Sequence, residues 1–104
     1  MAAKDSLRIE QSEKYEGDDW WSWSVWLAGS KPDLDAVDFV EYTLHPTFRN
    51  PVRTINTRQD GFRLDTEGWR VFTIYARACK KDGSVSRLKH QLKLTYPDGK
   101  LTLK

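Results

Sequence analysis

Two short segments hold the residue types and spacings needed for recognition chemistry. They are Tyr42-Thr43-Leu44-His45-Pro46-Thr47-Phe48 and, twenty residues on, Gly68-Trp69-Arg70-Val71-Phe72. Phe48 and Trp69 offer two flat aromatic surfaces, and a planar, neutral, polarised group such as an amide can be stacked between two such walls and dried. Aromatic pairs gain about 0.5–1.5 kcal/mol beyond the area they bury, and a comparable scale is expected for each face of an amide. Stacking does not set orientation, so hydrogen bonds must. The Thr47 hydroxyl can donate and accept, and a backbone N–H near Trp69 can donate to a carbonyl. Gly68, lacking a Cβ, is expected to take a positive φ and bring its backbone close to a ligand. His45 is expected to line the channel beside Phe48, packing against the ligand or holding Thr47 by a hydrogen bond. As a titratable group it could make affinity depend on pH near neutrality. Taken alone, it reads more readily as a partly buried histidine ending a strand with a satisfied ring nitrogen. Phe72 is expected to form the floor.

Other chemistries find little support. His45 and His90 stand on different strands, the chain has one cysteine, and no metal-ligand spacing occurs, so acid-base, nucleophilic and zinc sites are not expected. No catalytic residue, metal or cofactor is assigned. No Gly-rich turn leads into a helix, which leaves phosphate binding without a cradle. Cys79 lies in an alternating strand and reads as an inert structural thiol. Being alone, it cannot form an internal disulfide, in keeping with a reducing compartment. Aromatic walls also attract cations, but Arg49 and Arg70 would repel a methylated lysine, and no carboxylate stands beside Thr47 and Phe48.

A period of two runs through the elements that must position these residues. Leu7 and Ile9 open a first strand. Trp21, Trp23, Val25 and Leu27 then share one face, with Trp20, Ser22, Ser24 and Trp26 on the other. Gly29 to Asp33 reads as a loop, Val40, Tyr42 and Leu44 as one face of a third strand, and Thr47 to Asn50 as an exposed loop between Pro46 and Pro51. Phe62 and Leu64 form a short strand, Thr66-Glu67-Gly68 a turn, and Phe72, Ile74, Ala76 and Ala78 a strong strand. Leu88, His90, Leu92 and Leu94 follow, with His90 expected in the core. Pro97-Asp98-Gly99 turns the chain back into Leu101 and Leu103. Seven or eight short strands without an amphipathic helix predict an all-β fold, an immunoglobulin-like β-sandwich of two antiparallel sheets.

With 104 residues, positions 1–104 are expected to form one domain. The 38% hydrophobic and 31% charged content is that of a globular chain, and a net charge of +2 supplies no strong field for nucleic acid. Lys80-Lys81 and Arg87-Lys89 read as solvated strand faces. No run of eighteen apolar residues could cross a bilayer, and Met1 to Ser6 lacks a signal-peptide core, so a cytoplasmic protein without membrane contact is expected.

Taken as a set, Leu44-His45-Pro46-Thr47-Phe48 followed by Gly68-Trp69-Arg70-Val71-Phe72 resembles YEATS domains. Trp21-Ser22-Trp23-Ser24-Val25-Trp26-Leu27 is similar to that family's aromatic-x-Trp-x-Val-x-aliphatic core strand, so the resemblance runs from about residue 20 to about residue 95. Trp20-Trp21 and the His-Pro-Thr-Phe spelling look closest to the prokaryotic branch. The resemblance implies a non-enzymatic reader that grips acylated lysine, of acetyl or crotonyl type, between two loops at one end of the sandwich. Its partner would be a protein or peptide bearing that lysine, and the domain could be a module of a larger assembly. Thr47, Phe48 and Trp69 would take the roles of the hydroxyl and the two aromatics. Arg70 departs from the pattern, standing where many relatives have a second glycine. Its side chain could narrow the exit, point into solvent or meet an acidic residue of the ligand. A sandwich that kept the scaffold to bind an unmodified partner or a small ligand is the alternative, because fold does not dictate function.

Overall fold

The computed structural model describes residues 5–102. The alternating segments become seven strands in two antiparallel sheets. β1 (Arg8–Gly17), β2 (Trp20–Ala28) and β5 (Leu64–Gly68) form a three-stranded sheet in the order β1-β2-β5. β3 (Val37–Thr43), β4 (Val52–Ile55), β6 (Thr73–Lys80) and β7 (Val85–Gln91) form a four-stranded sheet in the order β4-β3-β6-β7. The inward rows are those the period of two selects. Trp21, Trp23, Val25 and Leu27 meet Val40, Tyr42, Ile74, Ala76 and Ala78, all buried. Burial pushes the Tyr42 phenol above its ordinary pKa, and its hydroxyl donates to the Phe62 carbonyl at 2.9 Å, so the one polar atom this ring brings inside is satisfied.

Several boundaries differ from expectation. The stretch read as a loop after β2 contains a single helical turn, α1 (Lys31–Asp35), capped by the Ser30 hydroxyl. β4, four residues long, was not visible as an alternating run. Phe62 is not in a strand. It follows Asp60 and Gly61 in a run of three left-handed residues with φ of 58°, 70° and 60°, which swings its ring into the core before β5 begins at Leu64. Thr66, Glu67 and Gly68 are not a turn but the second half of β5, paired with Trp23, Ser22 and Trp21. Phe72 precedes β6, and β7 stops at Gln91, so Leu92 and Leu94 reach the core from an irregular segment. At the final turn Leu101 faces solvent and Thr102 is buried, the reverse of the expected register. Leu103 lies outside the described residues.

His90 departs from the core position expected of it. It is half-buried at the flank where β1 approaches β7, and its Nε2 lies 2.7 Å from Gln11 Oε1. Gln11 also donates to the Lys93 carbonyl at 2.7 Å and accepts from the Lys93 N–H at 3.0 Å, while Glu13 accepts the Thr95 N–H at 2.5 Å. Burial pulls the His90 pKa below its ordinary 6.5. The unfolded chain therefore takes up the proton first as pH falls, and this contribution to stability is complete above about pH 6.5 and lost as pH drops through the lowered value. The urea midpoint is expected to fall in that window, and to fall less in His90→Gln. The carboxylates of Asp5, Asp33 and Asp65, all held below 3.8, act at lower pH and leave the histidine window separable.

A candidate binding cleft at one pole

β3 and β5 end at the same pole of the sandwich, and the connections that leave them build the site. After β3, Phe48 N–H donates to the His45 carbonyl at 2.9 Å, closing a four-residue turn with Pro46 in its second position, where the ring's preset φ is suited. Leu44 N–H donates to the Pro51 carbonyl at 2.8 Å and closes the base of the loop. After β5, residues 69–72 cross from the three-stranded sheet to β6 in the other.

Phe48 is half-buried. Its ring tilts against Phe72 at 5.3 Å between centroids and stands edge to face with Trp23 at 6.2 Å. Phe72 also meets Trp23 at 5.9 Å and His45 at 6.0 Å, so it supports the wall from behind. Trp69 is 42% exposed, with the Arg70 guanidinium over its ring at 5.0 Å. A cleft of about 310 Å³ is lined by Thr47, Phe48, Gly68, Trp69 and Arg70, together with Trp20, Arg49 and Glu67.

Five of the seven residues singled out from sequence thus line one cleft, and two stand behind it. Phe72 was expected in that supporting place. His45 is not a lining residue; its Nδ1 lies 2.8 Å from the Thr47 hydroxyl, the holding role rather than the packing one. Arg70 lines the cleft and makes two contacts that were not among the courses considered for it. It folds back onto Trp69 and reaches His45 Nε2 at 3.3 Å. Gly68 has no positive φ, because it is the last ladder residue of β5, opposite Trp21. Trp20 was not foreseen. The alternation placed it on the outer face, and its position as the first residue of β2, at this pole, was the available signal. Glu67 supplies a carboxylate to the cleft that the sequence reading did not place.

A Cβ at Gly68 would sit 3.6 Å from Phe48 Cζ and 4.0 Å from Trp23 Nε1, an indole nitrogen that is buried without a hydrogen-bond partner among the described residues. These are ordinary contacts. Gly68→Ala is therefore expected to fold, with stability unchanged or raised by up to about 1 kcal/mol through the less flexible unfolded chain. Its methyl group would nonetheless occupy the cleft floor. A thermal melt and a peptide titration on the same sample would separate the two effects.

A larger groove of about 540 Å³ runs over the outer face of β1, β2 and β5. Three of its polar residues, Ser24, Arg63 and Asp65, bond to one another. Asp65 accepts from the Ser24 hydroxyl at 2.5 Å and from Arg63 at 2.7 Å, bonds that hold its carboxyl below the usual range. It offers no paired aromatic walls.

A family model described as the prokaryotic YEATS domain matches residues 21–93, a span that contains every lining residue but Trp20. The chain belongs to the prokaryotic YEATS domain family. Among curated proteins, this YEATS domain is 44% identical over 55 residues to transcription initiation factor TFIID subunit 14 of Schizosaccharomyces pombe, a match covering 48% of the chain and 22% of that protein. The chain thus spans about a fifth of that relative. Among solved structures, the Yaf9 YEATS domain bound to H3K27ac superposes with a TM-score of 0.66 at 19% identity, covering 92% of this chain and 75% of that one. The Yaf9 YEATS domain recognising an H3K122suc peptide gives 0.62 at 23%, covering 86% and 70%. At these identities the likeness is one of fold.

Proposed function

We propose that this YEATS domain is a non-enzymatic reader of acylated lysine, and that the modified side chain enters the cleft between Phe48 and Trp69. One observation carries the reading. Two aromatic rings, brought by loops that leave different sheets, line the same 310 Å³ space as Thr47. That space suits a single flat group, and a hydroxyl is the partner an amide needs once water is excluded. The Yaf9 structures support the reading, since their peptides carry acyl marks.

The charge around the cleft favours a neutral group over a retained ammonium. Glu67 is answered by Arg49 and Arg70, so a methylated lysine would meet a net positive rim. A ligand burying about a dozen heavy atoms at roughly 0.3–0.5 kcal/mol each reaches about −4 to −6 kcal/mol, which is millimolar to tens of micromolar. Such affinity needs neighbouring peptide contacts or a tethered partner to act in a cell. The test is a titration of otherwise identical peptides carrying lysine, acetyl-lysine or crotonyl-lysine, followed by amide shifts. Saturation by the acylated forms alone, with shifts confined to 45–48 and 67–72, is the expected result. No response to any acylated form below several millimolar would leave the scaffold with a different ligand.

A further inference from the structure

We propose that Arg70 is a positioning residue that fixes which nitrogen of His45 carries the proton, and so turns the Thr47 hydroxyl into a donor toward the cleft. The tautomer of His45 follows from three distances. Nδ1 lies 2.8 Å from Thr47 Oγ1 and 3.2 Å from the Thr47 backbone nitrogen, and Nε2 lies 3.3 Å from Arg70 Nη1. A neutral imidazole has one N–H and one lone pair, while a guanidinium only donates. Two donors, the Thr47 N–H and the Arg70 N–H, therefore compete for a single lone pair.

Charge decides the competition. A hydrogen bond from an ionised donor is about twice as strong as one between neutral groups, and Thr47 is exposed, so water can take its backbone N–H. The lone pair then belongs to Nε2 and the proton to Nδ1, which donates to Thr47 Oγ1 over the shorter of the two Nδ1 distances. Each tautomer sets one N–H against another, Nδ1–H against the Thr47 backbone N–H at 3.2 Å or Nε2–H against a guanidinium N–H at 3.3 Å, and the second opposes a charged donor and is the costlier. Arg70 is held for this task by its stacking on Trp69.

The consequence for a ligand rests on the reader reading. With Nδ1–H bonded to its oxygen, Thr47 has its own hydrogen left to rotate into the cleft. In the other tautomer that hydrogen would be given to Nδ1, leaving only lone pairs for the ligand. Arg70 thereby lets Thr47 donate to an oxygen acceptor such as an acyl carbonyl, while a second lone pair on its oxygen can still accept an amide N–H.

Imidazole nitrogen shifts in a 15N-labelled sample above neutral pH read the tautomer without any ligand. The chain has two histidines, and His90 is an internal reference of the opposite kind, because Gln11 Oε1 accepts from its Nε2 at 2.7 Å. The expected result is Nδ1–H for His45 and Nε2–H for His90. In Arg70→Met, His45 is expected to switch to Nε2–H with His90 unchanged, and affinity for the acetyl-lysine peptide to fall about three- to tenfold, the share of one hydrogen bond. Arg70→Lys, which keeps a charged donor, is expected to restore part of both. An Nε2–H signature for His45 in the wild type, or one that ignores Arg70→Met, would overturn the proposal. If the tautomer switches as expected but no acylated peptide binds, Arg70 keeps its place and the reader reading falls instead.

Discussion

Trp69→Ala is expected to remove measurable binding of an acetyl-lysine peptide while leaving the fold intact. The indole is 42% exposed and its ring lies under the Arg70 guanidinium rather than in the core, so truncation leaves no core cavity. Stability should stay within about 0.5 kcal/mol of wild type, as for surface substitutions generally. Binding should suffer far more. Losing an aromatic anchor at the centre of a small site costs about 2 kcal/mol or more, roughly a thirtyfold loss, and takes a weak site out of range. Phe48→Ala is the less clean partner, because its ring packs on Phe72 and Trp23. Phe48→Leu keeps part of that packing and removes the flat face. Parallel melts and titrations of Trp69→Ala and Phe48→Leu would decide the matter. Full binding by a folded Trp69→Ala protein would mean that the cleft does not clamp its ligand between these walls.

The largest effect on folding is expected from Gly61→Ala. A Cβ at this position would fall 2.2 Å from the Leu27 carbonyl oxygen, a backbone atom in a central strand with no side-chain freedom to yield. Gly61 also has φ of 70° and sits between Asp60 and Phe62, which are left-handed too. Left-handed backbone alone costs a non-glycine residue about 1–2 kcal/mol. With the overlap added, the loss should reach about 3–5 kcal/mol, a large part of the 5–15 kcal/mol that such a domain has. Gly83→Ala is the control. It shares a positive φ, 90°, but nothing lies within 4 Å of its Cβ position, so only the backbone term remains. Urea unfolding of the two variants should therefore differ by about 2–3 kcal/mol, and near-equal midpoints would show that the chain at Gly61 can shift away from Leu27.

Where two residues alternate over a long run, the residues themselves were enough to read. The Trp21-to-Leu27 row and the Ile74-to-Ala78 row appear inside the sandwich as patterned, because a strand half buried in a core has no other way to hide its apolar side. Legibility failed where tertiary contacts override local pattern. Phe62 looked like a strand residue by hydrophobicity, yet it enters the core through a left-handed backbone next to the close Gly61–Leu27 approach. Gly68 looked like a turn residue by type, yet pairing with Trp21 makes it a strand end. At the cleft, residue types pointed to Thr47, Phe48 and Trp69, which line it, but not to Trp20 or Glu67, which arrive through strand geometry, nor to the fold of Arg70 onto Trp69, which depends on where His45 ends up.

The side chains of Gln11 and Glu13 give the flank between β1 and the segment after β7 a property of its own. The amide and carbonyl of Lys93 and the amide of Thr95 are the groups through which an extra strand would zip onto that border, and all three are already taken by side chains. With these groups occupied, this stretch resists annexing a passing chain, whether a stray copy of the protein or an extended tail from elsewhere.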